Sequence, residues 1–371
     1  MSENRPHVPF MDLAWQWRVI AEAARPDIER TFETSAFCLG PAVEAFERRF
    51  ADYLGVAYVV GVNSGTSALH LAMIAAGIGP GDAVLLPAHT FVATAWAVLY
   101  VGARPVLCDV DEDSGLIDLA DAERRCDPTV KAIMPVHLYG RAVDMDAVGA
   151  FAARRGLVVI EDAAQAQGAE WRGRRVGGHG YAGCFSFYPG KNLGAAGEAG
   201  AIATNDAEAA ARMRSLRNHA QGARYVHDEL GFNYRMEGLQ GVVLGHKLRH
   251  LDDWNARRGR IAGLYDEMLA GLPLVRPGRV PGHVWHLYVV RTPERDALKA
   301  WLHERGIETG LHYPVPLHRQ PCLAGLGHGA DEFAVSVRWA EQCLSLPMHP
   351  GMADVQVQAV TEAVRGFYGR G

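Results

Sequence analysis

At 371 residues, with 49% hydrophobic and 21% charged residues and a formal net charge of -5, the chain suits one large domain plus a smaller one and excludes a disordered or fibrous protein. The mildly acidic balance has none of the basic footprint that phosphate-backbone binding needs, so no nucleic-acid partner is expected. No run approaches the roughly 18 apolar residues of a spanning helix, and no membrane partner is expected.

The first residues, MSENRPHVPFMDL, lack the basic start and apolar core of a signal peptide. Cys38, Cys108, Cys126, Cys184, Cys322 and Cys343 form no C-x-x-C pair, which disfavours zinc and a disulfide framework. A soluble, cytoplasmic protein is the expectation.

In chain order, a helix is predicted from Pro41 to Leu54, with proline in its first turn and Gly55 just past its end. From about residue 57 to 205, β-rich runs alternate with helical stretches: YVVGV at 58–62, AVLLP at 83–87, RPVLCDV at 104–110, VKAIMPV at 130–136 and LVVIED at 157–162. Near-continuous apolar runs suit strands buried on both faces, and the alternation predicts a mostly parallel sheet wrapped by helices. CFSFYP at 184–189 and AGAIAT at 199–204 flank Lys191 and put it in a tight connection between strands. Helices are predicted over Glu237 to about Leu251 and Trp254 to about Leu269, a strand at WHLYVV, 285–290, and further helices near 294–305 and 353–367. The expected division is a large α/β domain over 1–245, with an N-terminal helical segment, and a smaller α+β domain over 246–371.

Three stretches bear on chemistry. In VNSGTSALHLAMIAAG, 62–77, a strand runs into a helix start; Gly65 lets an anion approach while Ser64, Thr66 and Ser67 offer hydroxyls. The same residues serve equally as an ordinary N-cap and turn. In LVVIEDAAQAQGA, 157–169, a buried strand delivers Glu161 and Asp162 at its carboxyl end, where open α/β sheets bind ligands. A carboxylate capping the next helix is the alternative.

In GCFSFYPGKNLGAAGEAGAI, 183–202, Lys191 sits in a small, apolar, glycine-rich turn with Ser186 and Tyr188 upstream. A partly desolvated lysine favours its amine form, as a Schiff-base nucleophile requires. P-loop spacing fails, no G-x-S-x-G elbow occurs at 61–65, and no G-x-G-x-x-G follows directly on the early strands. His283 and His286 have no neighbouring carboxylate in a zinc-like pattern, so no metal is expected.

SGTSAL, EDAAQAQGA, SFYPGKNLGA, GFNYRMEGLQ and HYPVPLHRQ, in this order and spacing, resemble the DegT/StrS family of sugar aminotransferases, from PFMDL at 9–13 to LSLPMHPGM at 344–352. The resemblance implies the α/β fold type I of PLP-dependent transferases, like aspartate aminotransferase, with a seven-stranded-type sheet. It also implies a homodimer with active sites at the subunit interface. It makes Lys191 the Schiff-base partner of pyridoxal 5'-phosphate and the catalytic proton carrier, and Asp162 the partner of the pyridinium nitrogen. Gln165 would contact the ring hydroxyl and Phe91 stack on the ring. Gly65, Thr66 and Ser186 would hold the phosphate, with Asn233 reaching it from the neighbouring subunit. Tyr188, His312, Tyr313 and His318 are the substrate-side candidates, loop packing being the alternative for each.

The implied reaction moves an amino group from glutamate to a nucleotide-linked keto-sugar. Relatives acting at C4 often show Thr-Thr-Gly-Glu-Gly-Gly after the lysine; Leu193-Gly194-Ala195-Ala196-Gly197-Glu198-Ala199 here looks more like relatives that aminate C3 of a dTDP-linked 3-keto-6-deoxyhexose. A C4 keto-sugar, a cyclitol ketone, and a non-catalytic cofactor-binding sensor or scaffold are the alternatives.

Overall fold

The computed structural model describes residues 7–369. Its centre is a sheet of β1 (Tyr58–Val62), β2 (Ala83–Pro87), β3 (Arg104–Cys108), β4 (Val130–Ile133), β5 (Val158–Asp162), β6 (Ala182–Ser186) and β7 (Gly200–Thr204). The spatial order is β1-β7-β6-β5-β4-β2-β3. Only β7 runs against its neighbours; the other pairings are parallel. The sheet is thus the mostly parallel one expected, and the apolar runs are strands because helices cover both faces.

Pleating divides the strand side chains between two cores. Val60, Val62, Cys184 and Ile202 pack on one side with Leu69 and Leu71 of helix α3 (Gly65–Ala75). Val59, Phe185, Ala201 and Ala203 pack on the other with α2 (Pro41–Leu54). There Phe46, Phe50, Phe185 and Phe187 form an aromatic cluster with ring centroids 5.1 to 5.5 Å apart. Pro41 opens α2 and Gly55 ends it at φ +71, the left-handed conformation that relieves a helix terminus. In front lies α1 (Leu13–Glu33), capped by Asp12, whose carboxylate accepts from Trp15 N–H at 2.8 Å.

Beyond the sheet, α8 (Gly238–Lys247) and α9 (Leu251–Met268) are joined by a single 3-10 turn. The antiparallel pair β8 (Tyr288–Arg291) and β9 (Cys343–Leu346) packs with α9, α10 (Arg295–His303) and α12 (Asp354–Tyr368) around Tyr265, Tyr288, Leu298 and Val360. The strand predicted at 285–290 starts later, at Tyr288, because Trp285 takes φ +52. Its carbonyl and that of His286 instead accept from the buried Arg258 guanidinium.

Candidate active site

A cavity of about 480 Å3 opens at the carboxyl edge of the sheet, where ligands of parallel sheets bind. Helix α3 starts there directly after β1. Ser64 is its N-cap and accepts from Ser67 N–H at 3.0 Å, while Ser67 Oγ donates to Asn63 at 2.7 Å. These hydroxyls serve the cap, and Thr66 keeps a hydroxyl without a protein partner among the described residues. Gly65 is pressed against the end of β6: a Cβ on it would stand 2.7 Å from Ser186 Cβ. Helix-start N–H groups, Thr66 and Ser186 thus face the cavity together, an arrangement suited to an anion.

The two acids of β5 part company, because adjacent strand residues point to opposite faces. Asp162 faces the cavity, its Oδ2 accepting from Thr94 hydroxyl at 2.8 Å and its Oδ1 from Ala164 N–H at 3.2 Å. Burial raises its pKa against the pull of those donors. Glu161, expected in the cleft, is fully buried beneath it instead. It accepts from the N–H groups of Gly177, His179 and Gly180 at 2.7 to 2.8 Å and pairs with His137 at 3.1 Å. Its work is to fix the turn that leads into β6.

Lys191 lies in the turn after β6, held by Lys191 N–H donating to Tyr188 O at 2.8 Å and Ala195 N–H to Phe187 O at 2.7 Å. From below, the buried Lys247 donates to Gly194 O at 2.7 Å and to Gln16 Oε1 at 2.9 Å. Burial lowers the Lys191 pKa to about 8, with Asp162 pulling the other way.

The opposite wall combines Phe91 and Tyr313, whose rings are 5.4 Å apart. Gln165 Nε2 donates to Tyr313 hydroxyl at 2.9 Å, and its Oε1 accepts from Tyr139 N–H at 2.8 Å. His312 hydrogen-bonds Ser345 at 2.8 Å; burial, reinforced by Lys191, brings its pKa down to about 4. Tyr188 borders the mouth, 55% exposed.

Of the residues singled out in the sequence, Gly65, Thr66, Phe91, Asp162, Gln165, Ser186, Tyr188, Lys191, His312 and Tyr313 line this one cavity. His318 does not: its Nε2 bonds Ala330 O at 2.9 Å and its ring lies 4.9 Å from Phe333. Asn233 is exposed, pairs through its backbone with Asn218 and accepts from Asn63 Nδ2 at 3.5 Å, and is not part of the lining. Thr90 and Trp96 also line the cavity without having been singled out in the sequence, as do Met11 and Glu198, given no role there, and His286, weighed there only as a metal ligand. His283, considered with His286 as a metal pair, instead stacks on Trp285 at 3.9 Å. Among the described residues no cluster of three or more metal-ligating side chains occurs, and no helix is long and apolar enough to cross a membrane.

The chain is similar over almost its full length to characterised proteins. It is 44% identical over 365 residues to the dTDP-3-amino-3,4,6-trideoxy-alpha-D-glucose transaminase of Streptomyces venezuelae, covering 97% of this chain and 96% of that one. It is 42% identical over 367 residues to the pleiotropic regulatory protein of Geobacillus stearothermophilus, covering 98% and 99%. The X-ray structure of S. venezuelae DesV, 44% identical, superposes with a TM-score of 0.96 over 99% of this chain and all of that one. The model of the DegT/DnrJ/EryC1/StrS aminotransferase family matches residues 19–365. A seven-stranded sheet, a lysine and an aspartate meeting at its carboxyl edge, and similarity spanning nearly the whole sequence lead to one conclusion: the chain belongs to the DegT/DnrJ/EryC1/StrS aminotransferase family.

Proposed function

We propose that this protein is a pyridoxal 5'-phosphate-dependent aminotransferase that moves an amino group from L-glutamate to a nucleotide-linked keto-sugar, a dTDP-3-keto-6-deoxyhexose. The observation that supports this most is the meeting of Lys191 and Asp162, an amine and a carboxyl both perturbed by burial, in one cavity with an anion cradle. The residues present fit the cofactor. Gly65, Thr66 and Ser186 suit its phosphate, since only a residue without Cβ lets α3 approach β6 so closely. Asp162 suits its ring nitrogen, Phe91 its face, and Gln165 its ring hydroxyl.

When bound, the cofactor supplies an aldehyde that amines capture and a ring that draws electrons from the reacting carbon. The chain supplies the rest. With a pKa near 8, Lys191 has a neutral fraction at neutral pH and so acts as nucleophile, then carries the proton to and from the substrate carbon. Asp162, pinned by Thr94 and Ala164, keeps positive charge on the ring nitrogen. Tyr188, His312 and Tyr313 border the space left for the sugar.

The C3 position rests on the run after Lys191 and on similarity to the S. venezuelae transaminase. The same reading makes the protein a homodimer, with the exposed Asn233 reaching the partner's phosphate site. It keeps 1–245 and 246–371 as the two domains, with α8 crossing the line. Six free cysteines suit a reducing cytoplasm. A regulatory, non-catalytic role is favoured by the names of relatives, the Geobacillus protein among them, and by no feature of the site.

The test is a panel of dTDP-, UDP- and GDP-linked 3-keto- and 4-keto-sugars with glutamate. Amination of the dTDP-3-keto-sugar is expected. Failure across the panel with glutamate still consumed points to a cyclitol ketone, and failure to react with glutamate overturns the aminotransferase reading.

A further inference from the structure

The wall of Phe91 and Tyr313 is organised by a residue that does not line the cavity. Tyr139 sits in the turn Leu138–Gly140 after β4 and is 6% exposed. Its backbone takes φ +59, in the left-handed region that glycine or asparagine occupies at less cost. Each of its polar groups is engaged there. Its N–H donates to Gln165 Oε1 at 2.8 Å, its carbonyl accepts from Leu287 N–H at 3.3 Å, and its hydroxyl donates to the His312 carbonyl. Gly140, at φ +93, seats the same turn against residues 284–286: its carbonyl accepts from Val284 N–H at 3.0 Å, and a Cβ on it would stand 2.9 Å from His286 N.

The direction of these hydrogen bonds follows from groups that can only give or only take a proton. A carbonyl only accepts, so the Tyr139 hydroxyl proton goes to His312 O. His89 Nε2, 2.9 Å from the same hydroxyl, must then be the N–H that donates to it. That leaves His89 Nδ1 as a bare lone pair, and it is buried without a partner among the described residues. Burial lowers the His89 pKa to about 4, which keeps the ring neutral.

A backbone N–H only donates, so Gln165 turns Oε1 to Tyr139 and is left with Nε2 for the Tyr313 hydroxyl at 2.9 Å. The Tyr313 oxygen therefore accepts. Its own proton has no acceptor among the described residues, although Tyr313 lines the cavity. Since Tyr313 follows His312 in the chain, the hydroxyl and the N–H of Tyr139 close a circuit through Gln165, Tyr313 and the His312 carbonyl.

We propose that Tyr139 is a positioning residue for the substrate side of the cavity: it clamps the 312–313 segment with its hydroxyl and the Gln165 amide with its N–H, so that Tyr313 O–H is left to donate to an oxygen of the bound substrate. The carboxylates of glutamate and the oxygens of a keto-sugar are acceptors of this kind. This rests on the reading of the cavity as an aminotransferase site. The His312 ring is held separately by Ser345 at 2.8 Å, so removing the Tyr139 hydroxyl frees the carbonyl side of the segment and not the whole loop.

Tyr139→Phe removes the hydroxyl and keeps the ring and the N–H. In the full-length, cofactor-loaded protein both half-reactions are followed by stopped-flow absorbance, one with glutamate and one with a dTDP-3-keto-6-deoxyhexose. The second-order rate constant should fall about tenfold in at least one of them, the worth of one neutral hydrogen bond, with cofactor affinity within about twofold of wild type. Tyr313→Phe alone should lose at least as much. In that background, adding Tyr139→Phe should cost less than about twofold, because the hydroxyl it positions has gone. A loss that is the same with and without the Tyr313 hydroxyl would overturn the proposal, as would no loss in either half-reaction.

Nitrogen-15 spectra of histidine-labelled wild-type protein, with the His89 signals assigned by their loss in His89→Gln, test the circuit without turnover and without the phenylalanine variants. A neutral ring protonated on Nε2 is expected, and one protonated on Nδ1 would overturn the proposal. Wild-type protein that fails to react with glutamate would instead sink the aminotransferase reading, and the His89 signals would still decide the direction of the circuit.

Discussion

Adding one methyl group at Gly65 isolates the anion cradle from the rest of the site. In Gly65→Ala the new Cβ would stand 2.7 Å from Ser186 Cβ, 3.2 Å from Ser186 Cα and 3.4 Å from Ser186 N. Ordinary contact begins near 3.4 Å, so the start of α3 and the end of β6 must part by about 0.7 Å, and such overpacking costs roughly 1–3 kcal/mol. The strain falls on the two elements that frame the proposed phosphate position, and about 1.4 kcal/mol is a factor of ten in binding. Titrating cofactor-free protein with pyridoxal 5'-phosphate should therefore show affinity weakened about tenfold to a hundredfold. Gly149→Ala, in helix α6 (Met145–Arg155) with nothing within 4 Å of the added methyl, serves as the control and should bind as wild type. Affinity of Gly65→Ala within about twofold of wild type would refute the close-approach argument, since the clash is with backbone as well as side chain.

Asp162→Asn keeps the shape but removes the charge and turns one of the two accepting oxygens, which now take bonds from Thr94 and Ala164, into a donor; it should slow the half-reaction with glutamate by roughly a hundredfold to a thousandfold. A loss under about fivefold in stopped-flow absorbance would mean that this carboxyl is not the partner of the ring nitrogen. Glu161 has the opposite character: burial alone would raise its pKa, but the His137 ring and the Gly177 and Gly180 N–H groups lower it. A depressed carboxyl pKa contributes stability that is present above the unfolded value and lost as pH falls through the folded one. Glu161→Gln should thus lower the melting temperature at neutral pH, by about 2–4 kcal/mol of stability, and flatten the acid limb of the profile. An unchanged acid limb would contradict the assignment.

What the sequence revealed and what it hid have separate physical causes. The sheet strands were legible because burial on both faces leaves continuous apolar runs such as AVLLP, and α2 because Pro41 and Gly55 mark its ends. Lys191 stood out because a lysine among small apolar residues has no solvated face to occupy. Glu161 was misplaced because a strand sends neighbouring side chains to opposite faces, and nothing local tells which of two acids turns to the cavity. The strand at 285–290 was drawn too early because Trp285 sits in a left-handed conformation that its own residue type does not announce. His286 reads in the sequence only as half of a metal pair, because its place on the cavity wall beside Asn192 depends on a residue 94 positions away in the chain. His318 shows the converse: a polar residue in a cleft-bordering loop that turns inward to Ala330.

The central claim is that Lys191 is the amine that binds the cofactor covalently. Borohydride reduction of the cofactor-loaded protein, followed by peptide mapping, tests it most directly. The account predicts one pyridoxyl-modified peptide carrying Lys191, a visible absorbance band that bleaches with glutamate before reduction, and loss of trapping in Lys191→Ala with the fold intact. Pyridoxyl label on Lys131, Lys247 or Lys299, or trapping retained in Lys191→Ala, would contradict it.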